Sequence, residues 1–128
     1  MAYDIRDDME GLLTSITSDI YGETPADIDN VIVVTPTGGY TPSHTFDHQK
    51  PSFTRPSFQV LVRHLSADTA NVWLDGIKTA LDGKTNYSVN GKTYILINQQ
   101  SDVLDMGRDK NRRHLLSINF NASVVNAY

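Results

Sequence analysis

The sequence contains no cysteine. That absence excludes disulfides, thiolate metal sites, iron–sulfur clusters and cysteine nucleophiles together. The opening Met1-Ala2-Tyr3-Asp4-Ile5-Arg6-Asp7-Asp8 lacks the basic and then apolar segments of a secretory signal. The longest compact apolar run, Val31-Ile32-Val33-Val34, is far too short to cross a bilayer, so no membrane is expected as a partner. There is no Gly-x-Ser-x-Gly elbow for a serine nucleophile. What is present is ordinary for a globular protein. The chain has 128 residues, 39% of them hydrophobic and 20% charged. It fits one domain over 1–128 with its own core.

Charge is the first informative feature. The net charge is −4, but it is unevenly spread. Residues 1–30 hold Asp4, Asp7, Asp8, Glu10, Asp19, Glu23, Asp27 and Asp29 against Arg6 alone. The segment Arg108, Asp109, Lys110, Arg112, Arg113 runs the other way. An acidic chain is a poor general nucleic-acid binder, because that affinity comes mainly from phosphate neutralisation. Opposite charge on separate segments can instead align copies of a protein. Asp4, Asp7 and Asp8 on one side, with Arg108, Lys110, Arg112 and Arg113 on the other, are the candidate oligomer interface.

Periodicity supplies the elements. Ile5, Met9, Leu12, Leu13, Ile16 and Ile20 form one apolar stripe, which predicts a helix over 3–21 closed by Gly22. A β-branched strand is expected over 28–35. The segment 36–55 holds Pro36, Pro42 and Pro51 with Gly38-Gly39 and is longer than most loops. It reads as an extended arm or long edge hairpin between the first two strands. Its Tyr40, Phe46 and Phe53 are candidates for contact with a tail or a neighbouring copy. A strand over 57–65 follows, then a helix capped by Ser66, carrying Ala70, Trp73, Leu74, Ile77 and Leu81, and ended by Gly83. Asn90-Gly91 predicts a hairpin. In the last strand, 114–124, Leu116, Ile118, Phe120, Ala122 and Val124 alternate with Ser117, Asn119, Asn121 and Ser123. The expected fold is α+β in the order α-β-β-α-β-β-β. It is a mainly antiparallel sheet of four to five strands with two helices on one face.

Candidate chemistry fails on spacing or context. Gly83-Lys84-Thr85 and Gly91-Lys92-Thr93 resemble the end of a phosphate loop but lack its earlier glycine, and neither opens a helix. His44, Asp47 and His48 could offer metal ligands from the 36–55 loop. The histidine spacing suits a helix that Pro42 and Pro51 disfavour, so exposed loop histidines are the plainer reading. Ser66 is simplest as a cap. Asp7-Asp8 reads as a solvated pair on a helix end, without the apolar shielding that raises a carboxyl pKa. No enzyme activity and no cofactor are expected.

An acidic amphipathic helix leads into a β-branched strand, a proline-rich arm and the stretch Arg55-Pro56-Ser57-Phe58-Gln59-Val60-Leu61-Val62-Arg63. A helix with Ala70, Trp73 and Ile77, a hairpin and a half-polar last strand complete the pattern. The whole resembles the tail terminator, or minor capsid, proteins of long-tailed bacteriophages. The resemblance implies a structural virion protein that assembles as a ring, commonly a hexamer. The ring ends tail-tube polymerisation and joins the tail to the head, with DNA passing through unread. It implies the tail-tube protein and head-completion or connector proteins as partners. It also implies a place at the head-proximal end of the tail and assembly in the host bacterial cytoplasm. Two other readings remain open: a head-completion or tail-tube protein, and a small metal- or ligand-binding domain using the 36–55 loop.

Overall fold

A computed structural model describes residues 5–17, 19–22, 28–44 and 51–126. The elements are α1 (Ile5–Leu13), β1 (Ile20–Tyr21), β2 (Val31–His44), β3 (Pro51–His64), α2 (Ala67–Leu81), β4 (Lys84–Val89), β5 (Lys92–Gln99), β6 (Leu104–Arg108) and β7 (His114–Asn126). The strands form one sheet in the order β1-β2-β3-β7-β5-β4, with β6 also pairing β7. The α+β class and the two helices are as expected. The sheet differs: among the described residues it has seven strands and is mixed, because β1 runs parallel to β2.

The two extra strands have physical causes. The first helix stops at Leu13 rather than running to 21. Ile16 and Thr17 both donate back to the Leu13 carbonyl in a tight turn, and Thr17 Oγ1 accepts the Asp19 N–H. Such local bonds compete with helix continuation. Ile32 N–H then donates to the Asp19 carbonyl at 2.9 Å, which places Ile20–Tyr21 beside β2. Gly22 therefore follows a strand, not a helix. β6 forms because β5 covers β7 only from Phe120 onward, leaving the His114–Ser117 edge open for Leu104–Arg108.

The proline-rich segment is a hairpin in its described part. β2 and β3 pair from Val31↔Arg63 to His44↔Pro51, with a bulge at Pro36–Gly38, where Gly38 has φ +99°. β3 also pairs with β7 as far as Phe53↔Val125, so only the β2 limb runs along an edge. Ile32 directs its N–H outward to β1. Pro36 lies two pairs further along the same side, so its missing N–H falls on the open edge, where proline is tolerated.

The helices share one face of the sheet. Met9 and Leu13 from α1 and Leu74 and Ile77 from α2 pack with Ile32, Val60 and Ile118 in a single core. Phe58 and Phe120 stack across β3 and β7 at 5.4 Å, both fully buried. The even positions of β7 enter this core as the alternation requires. Of the odd positions, Ser117 is buried while Asn119, Asn121 and Ser123 are half-buried. The Asn90-Gly91 turn has φ +52° and +78°, matching a two-residue hairpin that needs both centres left-handed.

α2 starts as its sequence requires. The Ser66 hydroxyl accepts the Thr69 N–H, and Gly83 follows the helix at φ +77°. Just before the cap, His64 Nδ1 accepts the Ser66 N–H at 2.9 Å, and its ring meets Trp73 edge-on at 4.7 Å. Burial lowers the His64 pKa from 6.5. The unfolded chain therefore takes up this proton first as pH falls, and stability contributed by neutral His64 is lost below about 6.5. Urea unfolding midpoints should fall between pH 7.5 and 5.5 in the wild type. In His64→Gln that slope should flatten, and an unchanged slope would rule His64 out as its source.

Candidate assembly interface

The acids and bases singled out by charge take different places in the fold. Asp8 is the largest departure from expectation. It is fully buried, not solvated on the helix end. Its carboxylate accepts from Lys92 Nζ at 2.5 Å, Tyr94 Oη at 2.5 Å and Asn90 Nδ2 at 2.8 Å. Tyr87 Oη donates to the Asp8 carbonyl at 3.1 Å. All four donors belong to β4, β5 and the turn between them. α1 also packs on β1 and β2 at the opposite end of the strand order. The sheet is thus curled, and Asp8 fastens α1 to its far end. Gly11 lets Tyr87 approach: a Cβ there would lie 3.2 Å from the tyrosine oxygen.

Asp7 lies 2.7 Å from Arg6, which also reaches Glu10 at 3.5 Å. Asp4 lies outside the described residues. The described acids of α1 are therefore paired inside their own chain, and Asp8 is removed from the interface candidates by its burial.

The basic segment divides in the same way. Arg113 is only 6% exposed. Its Nε donates to Asp109 at 2.8 Å, and its Nη1 reaches the Ile28 carbonyl at 3.4 Å and Asp29 at 3.6 Å. Buried Arg63 donates to the same Ile28 carbonyl. Asp109 also accepts the backbone N–H groups of Asn111 and Arg113. The backbone bond from Arg113, followed by its side-chain bond, holds the Asp109 carboxyl below the ordinary carboxylate range. These contacts fix the β6–β7 turn and the approach to β2, so Arg113 too is a structural residue. Arg108, Lys110 and Arg112 are exposed, and no ion pair joins them to a described residue.

The remaining candidates are placed by backbone. Tyr40 stands opposite Arg55, and Phe53 pairs with Ser43 and Val125. Phe46 lies outside the described residues, as do Asp47 and His48, while His44 is the last described residue of β2. Gly83 closes α2 and Gly91 sits in the β4–β5 turn, so neither Gly-Lys-Thr opens a helix. Lys92 is committed to Asp8.

Comparison with known proteins gives the fold its class. The chain is similar to a chain of a solved "Virion of native gene transfer agent (GTA) particle", with a TM-score of 0.62 and 13% identity. The match covers 89% of this chain and 84% of that one. A second solved structure aligns at a TM-score of 0.58 and 15% identity, covering 97% and 94%. No curated protein matches in sequence. The bacteriophage tail terminator protein family matches residues 3–126, and the chain belongs to that family. It is a structural protein of bacteriophage.

Proposed function

We propose that this protein is the tail terminator of a long-tailed phage. Copies close into a ring, a hexamer, on the head-proximal end of the tail tube. The ring stops tube growth and presents its other side to head-completion proteins, with DNA passing through its lumen unread. Assembly takes place in the host bacterial cytoplasm. The observation that carries this reading is the family match, which spans nearly the whole chain.

Features of the fold support it. A ring needs two unlike patches on each subunit. Arg108, Lys110 and Arg112 contribute one side of the subunit contact. The β2–β3 hairpin, with Tyr40, Phe46 and Phe53, reaches a neighbour or the tail tube. Among the described residues β2 is covered on its outer edge only at Ile32–Val33, by β1, and an uncovered strand edge is a template for pairing with another chain.

The test is polymerisation of the purified tail-tube protein with and without this chain. Tubes should stop at shorter lengths, with the added protein at one end only. Unchanged tube lengths would overturn the reading, and so would incorporation along the tube, which is the behaviour of a tail-tube protein.

A further inference from the structure

The acids of α1 face inward or pair with Arg6, yet three exposed bases stand at the end of β6 and on the β6–β7 turn. An exposed acidic surface lies elsewhere. On α2, Asp68, Val72, Asp75 and Thr79 share the face opposite the buried Ala70, Leu74, Ile77 and Leu81. Val72 is 66% exposed. Neither Asp68 nor Asp75 forms an ion pair with a described residue.

The basic turn also has apolar neighbours. Leu104 and Met106 on β6 are 59% and 43% exposed, large values for such side chains on an edge strand. Leu104 stands opposite Ser117, whose partner on β3 is Leu61. These are odd positions of β7 and their neighbours, on the sheet face turned away from the helices. Each surface thus combines exposed apolar side chains with an excess of one charge, Asp105 being the acid among the bases, and the excesses are opposite in sign. Leu104 and Met106 lie on the face turned away from α2, so Val72 cannot reach them within one chain. A head-to-tail contact satisfies both.

We infer that the exposed face of α2 in one copy docks on the β6 strand and β6–β7 turn of the next. Val72 covers Leu104 and Met106, and Asp68 and Asp75 face Arg108, Lys110 and Arg112. The inference rests on the ring reading and names its subunit contact. Complementary charge at such a contact sets partner choice and register.

The test uses two charge-reversed full-length chains, Asp68→Lys/Asp75→Lys and Lys110→Glu/Arg112→Glu. All four positions are exposed, so both should fold, the first with a melting temperature a few degrees lower because Asp68 lies in the first turn of α2, and Asp68→Asn/Asp75→Asn serves as a milder variant. Light scattering, alone and on tail tubes, reads the assembly. Each reversed chain alone should assemble at least about tenfold more weakly than wild type, since like charges then face each other. A one-to-one mixture should recover assembly, because reversed acids of one chain meet reversed bases of the other. If wild type assembles and both variants match it, the docking inference is overturned while the ring stands. The same holds if both fail and the mixture does not recover. A wild type that never assembles overturns the ring reading itself.

Discussion

Asp8→Ala is expected to lower the unfolding free energy by about 3 kcal/mol and the melting temperature by roughly 10 °C. The carboxylate is fully buried and receives three side-chain donors. Removing it leaves Lys92, Tyr94 and Asn90 facing a hole with no acceptor. Lys92 is 23% exposed and can turn partly to water, which puts the cost at the lower end for a broken buried pair. Asp8→Asn keeps the shape and one acceptor oxygen, so its loss should be smaller. A double-mutant cycle with Lys92→Ala should return a coupling of about 1–3 kcal/mol. Denaturant unfolding reads all three. A loss below about 1 kcal/mol for Asp8→Ala would mean that α1 is not fastened through this group.

The second large effect separates neighbouring bases. Arg113→Ala should cost about 2–3 kcal/mol, because it removes the charge-assisted bonds of a buried guanidinium, one to Asp109, which keeps its backbone N–H donors, and one to the Ile28 carbonyl. Lys110→Ala, three residues earlier and exposed, should stay within about 0.5 kcal/mol. Their effects on assembly should be reversed. Lys110→Ala should weaken self-association without moving the melting temperature. Arg113→Ala should act on association only through stability. Equal thermal effects at the two positions would contradict the division of this segment into a structural anchor and an exposed rim.

Much of the architecture is legible in local chemistry. Ser66 and Gly83 mark both ends of α2, Asn90-Gly91 marks a turn needing two left-handed residues, and the alternation from Leu116 to Val124 names the buried side of β7. The misses share a cause: long-range partners decide them. Leu104-Asp105-Met106-Gly107-Arg108 alternates over only three residues, has no β-branching, and is a strand because β7 leaves an edge uncovered. Ile16 and Ile20 continue the helical spacing. Yet Ile20 is buried from a strand, and Ile16 packs against Gly76, where a Cβ would come within 3.2 Å.

Asp8 carried a signal that was available. It lies three residues after Ile5 and four before Leu12, on the flank of the apolar stripe, whereas Asp7 points away from it. An acid on that flank is half-committed to the core and needs a partner. Arg113 carried no comparable local mark, since its acceptor at Ile28 is 85 residues away. Segregated charge marks both groups in the sequence, but charge that is buried and paired holds the fold together. Only the exposed remainder is left for assembly.

In the proposed function, copies of this chain close head to tail into a ring. The most direct measurement is the mass of the assembled protein by light scattering, taken alone and again on tail tubes. A ring gives a single closed species of fixed stoichiometry, a multiple of 14.3 kDa, in at least one of these states. A 14.3 kDa monomer in both, or open filaments that lengthen with concentration, would contradict it.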